Sequence, residues 1–249
     1  MTGSVSGLRA IVITHRLLVR QLVTRGRIAA LLGVGIIVSL VVALVSRAGG
    51  EDESAEEALE IGTSVMSNLG FTIVVPIVAL VFASAAFGDL KEDGTLVYLW
   101  LRPMDRWPMA VAGWLAAATV SLPVTQVPLT VAALIADVGS ELVWATVLAC
   151  VVGNLAYTAV FMLLGLLTKN SVVWGIGYIL IWEGLVAGIS GVGEKLAIRG
   201  YTRSIIAEQT GVDLYLGDLS LGIAIVVPVL VILAAVVLST LRLRSLDVA

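Results

Sequence analysis

Apolar residues gather in long stretches along this chain, and charge is swept into the segments between them. A helix needs about 20 mostly apolar residues to cross a hydrocarbon core about 30 Å thick. Residues 28–46, 64–88, 109–135, 142–168, 172–191 and 219–241 meet that length. The pattern predicts an all-α membrane protein with six transmembrane helices forming one domain over residues 1–249. The first stretch is expected to remain as a span rather than be cleaved as a signal. It is too long, follows a charged amphipathic segment, and leads through Ser46 and Arg47 into an acidic loop.

The connecting segments carry patterns of their own. Before the first span, SGLRAIVITHRLLVRQLVTRGR places Arg9, Arg16, Arg20 and Arg27 on one side of a helix and Ile11, Leu18 and Leu22 on the other. That pattern predicts a helix lying in the membrane interface with its arginines at lipid phosphates; an extension of the first span that snorkels its arginines is the alternative. The segment Gly49–Glu60 holds six acids and no base, as a solvated outer loop does. Within residues 192–218, Leu196, Ile198, Tyr201, Ile205 and Ile206 alternate with Lys195, Arg199, Arg203 and Glu208. One apolar face predicts a short helix on or dipping into the outer leaflet, with a solvated loop as the alternative.

The stretch EDGTLVYLWLRPMDRWPM, Glu92 to Met109, stands apart from these. Its apolar run, Leu96 to Leu101, is too short to cross a bilayer and is fenced by Glu92 and Asp93 on one side and by Arg102, Asp105 and Arg106 on the other. Gly94 and Thr95 can start a helix, with Thr95 as its cap, and Pro103 ends it by disfavouring helical geometry at Arg102. Burying four or five such side chains is worth roughly 1.5–3 kcal/mol each. Two burials satisfy the segment: it rests in the lipid interface, where Tyr98, Trp100 and Trp107 suit the headgroup layer, or it docks in a groove of another protein.

Composition makes the bilayer the solvent. The chain is 59% hydrophobic and 13% charged, with mean hydropathy +1.06, whereas a water-soluble domain carries about a quarter charged residues. With the amino terminus inside, the cytoplasmic segments hold Arg9, Arg16, Arg20, Arg25, Arg27, Lys91, Arg102, Arg106, Lys169, Arg242 and Arg244, and the outside keeps Arg47, Lys195, Arg199 and Arg203. The positive-inside rule therefore predicts a multi-pass plasma-membrane protein with both termini, and the Glu92–Met109 segment, in the cytoplasm. His15 is the one histidine and Cys150 the one cysteine, so no Ser–His pair, bis-His haem site, disulfide or thiolate metal cluster is within reach of the chain. No G-x-x-x-x-G-K-[ST] phosphate loop occurs. An enzyme is not expected, and no catalytic, cofactor or metal residue is assigned; any hydrolytic engine belongs to another polypeptide.

Four polar residues fall inside the apolar stretches: Asn68, Gln126, Asn154 and Glu183. Neutral amides of this kind more often bond helix to helix than bind cargo. An intramembrane carboxylate costs roughly 2.5–3.5 kcal/mol at the centre of a span, so Glu183 faces protein or water. With Asn154, Gln126 and Asn68 it is a candidate for a pathway or gate; the structural alternative is an acid that approaches the outer face or bonds to the Trp182 indole or a hydroxyl on a neighbouring helix. Pro76, Pro123, Pro128 and Pro228 permit kinks.

The string FGDLKEDGTLVYLWLRPMDRWPMAVAGWLAA resembles the signature of type-2 ABC exporter permeases, the ABC-2 class, at Glu92, Gly94, Thr95, Leu99, Leu101, Arg102, Pro103 and Arg106. YILIWEGLVAGISG, residues 178–191, is similar to the fifth-span region of actinobacterial members, and the basic first helix, six spans, long last outer loop and short basic tail are shared as well. The resemblance implies the permease subunit of an exporter, paired with a second permease, identical or paralogous, and with two separate ABC ATPase subunits that hold ATP and Mg. Glu92–Arg106 is then a coupling helix seated in an ATPase cleft. Leu96, Leu99, Trp100 and Leu101 form its docking knob, and Glu92 and Arg106 make polar contacts. Trp107–Pro108 departs from the pattern and shortens any helical link to the third span. A six-span substrate-capture subunit of an uptake system, and a membrane scaffold or immunity protein, are the other readings; a nucleic-acid partner is not expected.

Overall fold

The computed structural model describes residues 7–48, 54–95, 97, 105–187, 193, 195–214 and 219–245, and every regular element among them is helical. In chain order these are α1 (Gly7–Leu22), α2 (Arg25–Ala48), α3 (Ala55–Val65), a π-helical segment (Met66–Val74), α4 (Val75–Glu92), α5 (Arg106–Ala136), α6 (Ser140–Leu167), α7 (Ser171–Gly177), a second π-helical segment (Tyr178–Val186), α8 (Ile198–Thr210) and α9 (Leu221–Ser245). Five helices are long and apolar enough to cross a membrane: Arg25–Val45, Glu56–Lys91, Arg106–Ala136, Ser140–Leu167 and Leu221–Ser245.

One of the expected spans is longer than the apolar stretch that announced it. The 64–88 stretch is the middle of an unbroken helix that begins within the acidic loop. Ser54 caps α3, its hydroxyl accepting from the Glu57 amide at 3.3 Å while the Ser54 amide donates to Glu57 Oε2 at 3.0 Å. The acids Glu56 and Glu57 therefore sit in the first turn, where the helix dipole favours negative charge. The described part of the 172–191 stretch is helical over Ser171–Val186, about 24 Å at 1.5 Å per residue. Residues 188–192 lie outside the described part.

α4, α5 and α6 pack on one another at the centre. Burial covers 72% of the apolar window of Glu56–Lys91 but only 17% of that of Leu221–Ser245, so the α3–α4 helix is the pillar of the bundle and α9 lies at its rim. α1 runs along α5 and is held there by an apolar stripe: Ala10, Thr14, Leu18 and Leu22 are buried at i, i+4 spacing. Arg9, Arg16 and Arg20 stay exposed on the opposite face. The side expected to meet lipid through Leu18 and Leu22 thus meets α5 instead, and His15 Nε2 lies 3.1 Å from Thr119 Oγ1 of that helix. Arg27 Nη2 and Asp89 Oδ2, 3.2 Å apart, tie α2 to the last turn of α4.

Candidate functional site

The expected outer helix is present as α8, but it does not lie on a surface. Residues 198–206 are all buried, and the helix packs into α6, α9 and the first π-helical segment. Its Thr202 sits against Gly153, where an added Cβ would come within 2.7 Å of the Thr202 methyl. Gly153 lies about 20 Å along α6 from its start at Ser140, so α8 enters the bundle to roughly half the length of that helix. The amphipathic pattern is genuine, but the arginines expected in water, Arg199 and Arg203, are drawn inside with it.

Burying an arginine costs too much unless polar groups meet it, and for Arg203 those groups come from the first π-helical segment. Arg203 Nη2 donates to Asn68 Oδ1 at 2.6 Å and to Thr72 Oγ1 at 3.3 Å, both on Met66–Val74. The Asn68 amide is itself positioned by donating to the Ser64 carbonyl at 2.9 Å. On Tyr178–Val186, Glu183 is 1% exposed and accepts three hydrogen bonds. Tyr157 Oη of α6 donates to Oε2. Tyr178 Oη donates to Oε1 at 3.0 Å, and the Ile198 amide, the first of α8, donates to the same oxygen at 3.1 Å. Arg199 lies close enough for its charge to act on this carboxylate, and its Nε has no hydrogen-bond partner among the described residues.

The π geometry explains why these groups converge. A π turn closes i to i+5, so residues five apart come onto one side. Tyr178 and Glu183 are such a pair, and Thr72 Oγ1 likewise donates to the Ser67 carbonyl at 3.2 Å. Glu183 therefore joins three elements at one carboxylate: its own helix, α6 through Tyr157, and the start of α8 through a backbone N–H that lacks a partner within the helix. Ser204 adds a tie to the chain entering α9, its Oγ accepting from the Leu219 amide at 3.2 Å. The arrangement latches a short helix into the end of a bundle of long ones.

The other two intramembrane amides do different work. Asn154 lies in a buried neutral cluster between α5 and α6. Ser121 Oγ donates to Asn154 Oδ1 at 2.8 Å, Asn154 Nδ2 donates to Thr125 Oγ1 at 3.3 Å, and Cys150 Sγ donates to the same hydroxyl at 3.4 Å. Gln126 bonds along its own helix to Thr130 Oγ1 at 2.9 Å, and its Oε1 is buried with no partner among the described residues. Of the four candidates, then, Asn68 and Glu183 are brought together at α8, while Asn154 and Gln126 stand apart. Trp182 does not bond Glu183; its indole N–H points to the Leu196 carbonyl at 3.4 Å.

At the other end of α4, the candidate coupling segment is described only at its flanks. Leu96, Leu99, Trp100, Leu101, Arg102 and Pro103 lie outside the described residues. α4 ends at Glu92 and Gly94 takes a left-handed φ of 66°, a conformation glycine adopts without steric cost. Thr95 serves the preceding helix, its hydroxyl donating to the Leu90 carbonyl at 3.4 Å. Arg106 opens α5 and its Nη1 lies 3.7 Å from Met109 Sδ. Trp107–Pro108 does not delay α5: proline is tolerated in a first turn, where no N–H is needed. Trp107 is 44% exposed and lies against Gly7 at the start of α1.

Tyr157, Tyr178, Thr72, Arg199 and Arg203 were not singled out as candidates from the sequence, although Arg199 and Arg203 stand four apart on one helical face and offered a signal. No model of a known protein family matches this chain, and no curated protein matches it.

Proposed function

We propose that this chain is the membrane-spanning permease subunit of an ATP-driven exporter of the ABC-2 type. In this reading it lies in the plasma membrane with both termini in the cytoplasm, beside a second permease, identical or paralogous. Two separate ABC ATPase subunits hold ATP and Mg and grip the Glu92–Arg106 connection. Direction of transport is taken as export, and the cargo is left open by the residues that line the bundle.

The observation that carries the reading is the connection itself. A short apolar run fenced by charge joins α4 to α5, two helices of the packed centre. α4 ends at Glu92 and α5 starts at Arg106, so a displacement applied between them acts at once on both helices. Close-packed interiors transmit such displacement rather than absorbing it. Gly94 supplies the turn that lets the run leave the α4 axis. α1, lying along α5 and touching Trp107, extends the same platform sideways.

The opposite end of the bundle supports the reading in a second way. In the proposed orientation α8 closes the outer side. It is held by a carboxylate and an arginine that meet hydrogen-bond partners on π-helical segments, a feature frequent at functional sites. Movement of α4 reaches the first π-helical segment directly, because the two are one continuous helix, and that segment carries Asn68 and Thr72. A push at Glu92–Arg106 and release of α8 are thus mechanically linked in one pillar.

Replacing both Leu99 and Leu101 with Asp tests the proposal. The ABC ATPase that purifies with the wild-type protein should be lost from the doubly substituted protein, and the permease-stimulated part of its ATP hydrolysis should disappear. Wild-type protein that brings down no ATPase, or a variant that retains full pull-down and turnover, contradicts the proposal.

A further inference from the structure

Three cations stand where three apolar stretches end. Lys91 follows the 64–88 stretch, Lys169 follows 142–168 and Arg242 follows 219–241, so all three stand at one depth, just outside the hydrocarbon. Lys91 is near enough to both Arg242 and Lys169 for each to act on its charge. None of the three forms an ion pair among the described residues; the nearby carboxylate Asp89 is engaged by Arg27. Arg242 Nε is buried without a hydrogen-bond partner. Lys91 Nζ donates to the Leu166 carbonyl at 3.4 Å, which commits one of its three protons. Like charges with donors left over favour an anion between them.

Beside them is a cavity of about 550 Å³ lined by Gly88, Lys91, Thr168, Lys169 and Asn170. Leu167, the residue before Thr168 of this cavity, lines a separate apolar groove. The groove, about 500 Å³, follows the seam between α6 and the helix that starts with α7, and Leu164, Trp174, Ile181 and Trp182 line it. A cationic pocket at headgroup level with an apolar groove at chain level beginning one residue away matches the chemistry of one amphipathic molecule. Basic pockets between membrane helices take anionic headgroups. A free phosphate would leave the groove unused, and a neutral lipid would leave the cations unmet.

We propose that this corner is a binding site for a single anionic phospholipid, its phosphate among Lys91, Lys169 and Arg242 and an acyl chain against Trp174 and Trp182. The proposal rests on the bundle being membrane-embedded and not on the exporter reading.

Tryptophan quenching tests it, because two of the groove residues report chain contact. The full chain is placed in micelles and titrated with phosphatidylglycerol or phosphatidylcholine carrying dibrominated chains. Wild-type protein should show saturable quenching that favours phosphatidylglycerol, and the joint Trp174→Phe and Trp182→Phe change should remove the saturable part. Lys91→Gln and Lys169→Gln should each lower the preference about fivefold, as expected for loss of one surface cation near a lipid phosphate. Lys169 is exposed in a connection, so its substitution leaves the fold intact even if that of Lys91 does not. Exchanging Arg9, Arg16 and Arg20 for Gln should leave the preference unchanged. Equal quenching by the two lipids, a preference that survives both lysine substitutions, or one lost with the arginines of α1 overturns the proposal.

Discussion

Two buried polar clusters lie within this bundle, and they are built on opposite plans. Ser121, Thr125, Cys150 and Asn154 form a neutral cluster between α5 and α6, two uninterrupted helices that face each other over much of their length. Glu183, Tyr157, Tyr178, Arg199 and Arg203 form a charged cluster whose members sit on π-helical segments, on α6 and on the short α8. The neutral cluster adds hydrogen bonds to an interface that apolar packing already holds. The charged cluster is the means by which a helix of 13 residues, bearing two arginines, is accommodated inside an apolar bundle at all. Neutral polar groups act as glue, whereas a buried charge that must be met on several sides acts as a latch, because losing one partner strands the rest.

The difference is sharpest at Glu183. Replacing it with Ala removes the carboxylate near Arg199 and leaves the Ile198 amide and two tyrosine hydroxyls without their acceptor. Each buried donor left unsatisfied costs about 1–3 kcal/mol, and thermal unfolding of the purified protein should show it as the largest drop among these substitutions. Glu183→Gln keeps an acceptor oxygen and should fall between wild type and Ala. Asn68→Ala removes the acceptor nearest the Arg203 guanidinium, a hydrogen bond to a charged group worth about 1.5–3 kcal/mol, and should raise proteolytic cleavage within α8. Gly153→Val tests the packing side of the same latch. Its Cβ would fall 2.7 Å from Thr202, and overpacking of that kind costs about 1–3 kcal/mol, again with α8 displaced and α5–α6 intact. Smallest of all, Asn154→Ala should cost about 1 kcal/mol, two interhelical bonds at about 0.6 kcal/mol each, with no change in α8 protection. An Asn154 effect as large as that of Glu183→Ala would erase the distinction between glue and latch.

Much of the scaffold is legible in the sequence. The arginine spacing of 9, 16 and 20 marks the exposed face of α1, and each full-length helix coincides with an apolar stretch. What escaped was governed by geometry that α-helical periodicity does not encode. Tyr178 and Glu183 are five apart, a spacing that separates side chains in an α-helix and brings them together only in a π-helix. Arg199 and Arg203 read as outer-loop charges because arginine near a span normally meets water; their burial depends on Asn68 and Glu183, distant in sequence. Span two extends beyond its apolar stretch because acids that end a hydrophobic run also favour a helix start, as the Ser54–Glu57 cap does. Asn154 was readable as helix-to-helix bonding from its residue type, but its partners Ser121 and Thr125 were not.

The claim at the centre of this account is that the Glu183 carboxylate holds α8 inside the bundle. Labelling of a cysteine placed at Ile205, which is fully buried, tests it most directly, with Cys150 replaced by Ala so that one thiol reports. A hydrophilic maleimide should modify the Ile205→Cys protein slowly and the same protein bearing Glu183→Ala at least tenfold faster, while a cysteine at Ala149 on α6 stays protected in both. Equal, slow labelling at Ile205 with and without the carboxylate would contradict the account.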